Sequence, residues 1–124
     1  MSSAPNNPLT PEQEETLRDS LKRCTPETIE AAIAFRNQGD LSMAPVVIIG
    51  IIQRFCEPDV RPKLKEEGSD DLQIMDDLGL DSLTMVDVVM LVEESLDITI
   101  DNEELGDLKT IGDVKEFVKR KLSA

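Results

Sequence analysis

The stretch Leu80-Asp81-Ser82-Leu83 sets two good helix caps side by side, directly ahead of an apolar helical pattern. Either side chain can accept an N–H of the first helical turn, and a helix needs one such cap. The other residue is free for different work. Ser82 brings a hydroxyl into a run of carboxylates. A hydrolytic serine needs a base, and the chain has no histidine. A Ser–Lys pair is the remaining option, but no lysine stands in the surrounding stretch between Glu66 and Asp107. Ser82 therefore reads either as a simple cap or as a point of covalent attachment, and not as a catalyst.

The carboxylates around it form a pattern of their own. From Glu66 to Asp107 there are fifteen Asp or Glu and no Lys or Arg. Ordinary surfaces mix both signs, because like charges repel. On the helix expected at 82–96, Asp87, Glu93 and Glu94 have no basic neighbour four residues away. An unpaired acidic face beside surplus apolar residues suits docking to a basic protein. The segment Asp101-Asn102-Glu103-Glu104-Leu105-Gly106-Asp107 lacks the alternating oxygen-ligand spacing of a calcium loop. Two cysteines and no histidine disfavour zinc. No metal site is expected.

Composition narrows the class further. The formal charge of the 124 residues is −13, which argues against nucleic acid and against an anionic membrane surface. The longest apolar run, residues 44–52, is far short of a bilayer span, so no membrane insertion is expected. The start shows no basic, apolar secretory pattern, and Cys24 and Cys56 read as free thiols in a reducing cytoplasm. With three Phe and neither Trp nor Tyr, the core is Leu, Ile, Val and Met, which suits packed helices.

The elements that must position Ser82 follow from caps and periodicity. Residues 1–9 read as disordered. Thr10-Pro11-Glu12 and Thr25-Pro26-Glu27 each give a cap, a proline at the first helical position and an acid in the first turn. They predict helices near 10–23 and 26–37, with Gly39 ending the pair. Ser42 is expected to cap a third helix running to about Cys56, apolar on nearly all sides and so buried. Residues 56–71 read as a long polar loop. A fourth helix is expected at 82–96, a buried loop at 97–101, one short turn at Asn102–Leu105, and a last helix after Thr110.

The segment from Asp76 to Val118 resembles an acyl carrier protein. The matching features are D-L-G-L-D-S-L, the acidic apolar helix after it, the E-E-S-L-D-I segment, and K-T-I-G-D-V opening the last helix. The similarity covers roughly residues 42–122. It implies an all-α, acyl-carrier-like four-helix bundle, three main helices plus one short, at 42–124. A helical hairpin extension at 1–41 precedes it. By this resemblance Ser82 carries 4′-phosphopantetheine donated by coenzyme A, and Asp81 and Leu83 flank the site read by a phosphopantetheinyl transferase. Asp87, Glu93 and Glu94 would meet basic docking patches on acyl-chain synthesis enzymes, with Val86 and Met90 at the apolar centre. Val89, Val92, Leu96, Ile100 and Leu108 are candidates for lining an acyl-chain pocket, and core packing explains them equally well.

The implied function is a stand-alone carrier, not an enzyme, holding acyl thioesters for fatty-acid or related synthesis. The alternative is an acidic helical adaptor that kept the fold without the modification. Thr84, Asn102 and Gly106 stand where family members are often acidic. The N-terminal 41 residues are the larger departure.

Overall fold

The computed structural model describes residues 9–123. The expectation of disorder for 1–9 lies outside these residues except at Leu9, which is half-buried and donates its N–H to Asn37 Oδ1 at 2.7 Å. The described chain is helical: α1 (Pro11–Ser20), α2 (Pro26–Gln38), α3 (Ala44–Phe55), α4 (Ser82–Leu96), α5 (Asn102–Leu105) and α6 (Ile111–Ser123). Three short 3-10 turns join them, at Leu41–Met43, Arg61–Lys65 and Ser69–Asp71. No helix is long and apolar enough to cross a membrane among the described residues.

The caps set the N-terminal boundaries. Thr10 accepts Gln13 N–H while Gln13 Oε1 accepts Thr10 N–H, a reciprocal pair that holds the start of α1. Thr25 caps α2 by accepting Thr28 N–H, with Pro26 at its first position. The helix expected to reach residue 23 stops at Ser20. Thr25 precedes a proline, which disfavours helical backbone there, and the chain turns through Leu21–Cys24 instead. Gly39 ends α2 in the left-handed conformation, φ 68°.

The start of the third helix differs from expectation. Asp40 accepts both the N–H of Ser42 (3.1 Å) and its hydroxyl (2.6 Å). Ser42 is thereby drawn into a 3-10 turn, and α3 begins at Ala44 without a side-chain cap. A carboxylate two residues upstream outcompeted the serine.

The helices share one core. α3 is central: Val47, Ile48, Ile51 and Ile52 are almost wholly buried, and the helix packs on α2, α4 and α6. The hairpin α1–α2 contributes Leu17, Leu21, Ala32 and Phe35 to the same cluster, and α2 lies against both α3 and α4. Burying one such Leu or Phe stabilises by up to about 1.5–3 kcal/mol. The exposed ion pairs of Arg18 with Glu14 and Glu30 add little beside that. The extension is thus held by apolar burial.

The polar loop after α3 is more structured than its composition suggests. Leu64 is buried, and the turn Ser69–Asp71 packs on α6, where Asp70 pairs with Lys115 at 2.7 Å. Beyond it, Gln73 and Thr110 form an isolated antiparallel bridge, with Ile74 N–H donating to Lys109 O and Ile111 N–H to Leu72 O. This strap ties the segment before α4 to the segment before α6.

Candidate functional site

The strap and a tight turn together aim Ser82. Leu78 and Leu80 are buried on either side of Gly79, whose φ of 74° is a left-handed conformation that glycine adopts without strain. Gly79 N–H donates to Met75 O and Leu80 N–H to Ile74 O, closing the turn. The chain leaves it extended at Asp81 and enters α4 at Ser82.

At that point the two caps divide their labour. Asp81 Oδ1 accepts Thr84 N–H at 2.7 Å. That bond, with help from the Thr84 hydroxyl and Leu83 N–H, holds the Asp81 carboxyl below the usual carboxylate range. Ser82, the first residue of the helix, is exposed and takes no part in the cap.

Around the start of α4 the surface is apolar. Leu83 is 80% exposed, Met90 60%, Met75 50% and Val86 48%, the largest exposed apolar side chains beside Leu41. Leu83, Val86 and Met90 recur at helical spacing on one face. Asp87 lies on the same outer side, exposed, and engages no hydrogen bond or ion pair among the described residues.

The other two carboxylates of the expected docking face are engaged within the chain. Glu93 Oε2 accepts the N–H of Ile100 at 2.8 Å, pinning the loop after α4. Glu94 Oε1 accepts the hydroxyl of Ser20 at 2.9 Å, and Arg36 donates to the Glu94 carbonyl at 2.9 Å. Glu94 therefore meets the N-terminal hairpin.

A cleft of about 640 Å³ opens at Ser82. Ile74, Met75, Met85, Val86, Leu105 and Leu108 give it apolar walls, Gly106 lies along it, and Asp76 and Lys109 bring one charge of each sign. Of the five residues considered for an acyl pocket, Leu108 lines it. Val89, Val92, Leu96 and Ile100 are buried in the common core instead. The rest of the cleft's lining comes from the strapped loop and from α5. The apolar Ile74-Met75 pair, just ahead of the glycine turn, is the signal that could have found it.

The site suits a phosphodiester-linked arm. Its hydroxyl is exposed at the positive end of α4, where an anion is favoured. Asp76 and Lys109 put one charge of each sign along the cleft, and its other walls are mostly apolar. Fold and site together define a small helical carrier with a serine-headed helix beside an apolar cleft.

Comparison with known proteins agrees. A family model described as a phosphopantetheine attachment site matches residues 60–118. The chain is 42% identical over 59 residues to an acyl carrier protein of Bdellovibrio bacteriovorus, covering 48% of this chain and 70% of that protein. It is 38% identical over 63 residues to one of Exiguobacterium sibiricum, covering 48% and 80%. One from Clostridium perfringens is 39% identical over 67 residues, covering 45% and 88%. No solved structure matches. The chain belongs to the acyl carrier protein family, whose covalent cofactor is 4′-phosphopantetheine.

Proposed function

We propose that Ser82 is the attachment point of 4′-phosphopantetheine and that the chain presents acyl thioesters to acyl-chain synthesis enzymes. The observation that carries this reading is the split between neighbours: Asp81 caps α4 through Thr84 N–H, while Ser82 stays exposed at the mouth of the cleft. The phosphodiester would join Ser82 Oγ at the N-terminus of α4. When bound, the arm supplies a terminal thiol for the thioester. The protein's own part is to position, shield and present, and it does no chemistry itself.

In this reading residues 42–124 are the carrier unit and residues 1–41 an added hairpin. Leu83, Val86 and Met90 form the apolar centre of the docking face and Asp87 its free carboxylate. Asp81 and Leu83 flank the site for the transferase. The setting is a reducing cytoplasm, consistent with Cys24 and Cys56 as buried free thiols.

The test is direct. The purified protein is incubated with coenzyme A, magnesium and a broad-specificity phosphopantetheinyl transferase, and its intact mass is measured. One phosphopantetheine is gained by the native chain and none by Ser82→Ala. Absence of any gain with several transferases would favour the adaptor reading.

A further inference from the structure

Three arginines converge where the α1–α2 turn meets the C-terminal end of α3. Arg23, Arg54 and Arg61 line a cavity of about 60 Å³ together with Cys24, Thr25, Gly50 and Gln53. No carboxylate is part of that lining. This runs against the composition, in which 26 acidic residues face 13 basic ones. Arg18, Lys22, Lys115 and Lys121 each have a carboxylate partner. Arg23, Arg54 and Arg61 have none among the described residues, as is true of several other bases, but these three share one notch.

Two of the three are held in place beforehand. Arg61 Nε donates to the Gln53 and Cys56 carbonyls, at 3.0 and 3.1 Å, and Nη2 to the Arg54 carbonyl at 3.4 Å, which ties it to the end of α3 and leaves Nη1 without a partner among the described residues. The Arg54 guanidinium lies 4.5 Å from the centre of the Phe55 ring. Side chains fixed in advance lose less entropy on binding. Guanidinium groups brought together repel, and an anion between them removes that cost while accepting their charge-assisted hydrogen bonds.

The lining selects the ligand class. Three cationic side chains around a small notch, with no carboxylate among them, favour a compact oxyanion over an acyl chain. Nor does Cys24 make the site reactive. Burial pushes its thiol up, and the opposing pull of Arg54 is smaller, so it stays protonated near neutrality. No residue is shared with the cleft at Ser82.

We propose that this notch binds a phosphate-class oxyanion at the seam between the N-terminal hairpin and α3. The ion is either free or the terminal group of a phosphomonoester. The ligand would bridge the two parts of the chain, because Arg23 comes from one and Arg54 and Arg61 from the other.

The full-length protein is titrated with sodium phosphate, O-phosphoserine and sodium chloride at matched ionic strength, and backbone amide shifts are followed by NMR. Saturable shifts at Cys24, Thr25, Gly50 and Gln53 with phosphate, absent with chloride, are expected. Arg23→Gln, an exposed and structurally mild change, should weaken binding roughly tenfold, as loss of one charge-assisted hydrogen bond implies. Arg54→Gln should act similarly, and if it does not fold, Arg23→Gln alone carries the test. Phosphate binding tighter than phosphoserine identifies a free ion, and the reverse identifies a group borne on a larger molecule. Equal shifts with chloride, or undiminished phosphate binding in Arg23→Gln, would overturn the assignment.

Discussion

Gly50 of α3 lies directly against Thr28 of α2. A Cβ at position 50 would overlap the Thr28 hydroxyl and fall within 2.7 Å of Thr28 Cγ2 and Cβ. Both residues are buried, and Thr28 is further held by the Thr25 hydroxyl at 3.0 Å. Two helix backbones therefore approach closely at the seam where the extension joins α3. Glycine there carries a helix-propensity cost of about 1 kcal/mol, outweighed by the close packing it permits. Gly50→Ala should lower stability by about 1–3 kcal/mol despite the better propensity. Thr28→Ala in the same chain should recover only part of the loss, because Cβ of residue 28 remains in the way. Denaturant midpoints of the three variants check this, and a stabilised Gly50→Ala would show that the hairpin does not pack as described.

Asp81 gives a pH-dependent prediction. Its carboxyl binds a proton less readily in the folded chain than in the unfolded one, chiefly because it accepts Thr84 N–H. The stabilisation is therefore complete above the unfolded value of about 3.9 and is lost as pH falls through the lower folded value. Asp81→Ala should melt several degrees below the native chain at neutral pH, with the gap closing below about pH 4. Asp81→Asn keeps the cap and loses only the charge, so it should fall between them. A gap independent of pH would remove the charged cap from the account.

Helix starts were legible where local chemistry decides them. Thr10, Thr25 and Asp81 act on N–H groups three residues away, and sequence spacing shows that directly. Ser42 misled because Asp40, two residues earlier, took its N–H first. The cleft was not legible. Its walls come together only through the bridge between Gln73 and Thr110, which are far apart along the chain. Helical spacing puts Val89, Val92 and Leu96 on an inward face but cannot tell which inward residues line a cleft and which join the core between α2, α3 and α4. The engagement of Glu94 was hidden for the same reason, since its partner Ser20 is 74 positions away.

The three docking carboxylates should separate by experiment. Asp87→Lys touches no internal bond, so it should slow modification by the transferase at low salt while the melting temperature holds. Glu93→Ala leaves the half-buried Ile100 N–H without its acceptor and should cost about 1 kcal/mol or more in stability. Glu94→Lys should loosen the hairpin by losing the Ser20 bond, which protease protection of α1 would report. If Glu93→Ala were as stable as the native chain and only partner binding fell, Glu93 would belong to the docking face after all.

Gly106 offers a way to test the cleft without disturbing the core. It lies along the cleft in ordinary right-handed backbone, φ −61°, and a Cβ there would meet nothing closer than Glu103 O at 3.9 Å. Gly106→Leu should therefore fold normally and narrow the space beside Leu105 and Leu108. Modification at Ser82 should be unchanged, because the hydroxyl and the α4 cap are untouched. The acyl form should differ. If the chain lies in the cleft, excluding two methylenes from it removes about 1.6 kcal/mol of burial, roughly a tenfold shift toward an exposed chain. A medium-chain thioester on Gly106→Leu should then be cleaved faster by hydroxylamine than on the native protein, while a short acetyl thioester should react alike on both. Equal cleavage rates for the medium chain would place it elsewhere, and Val92→Ala would then show whether the interior between α4 and α3 takes it.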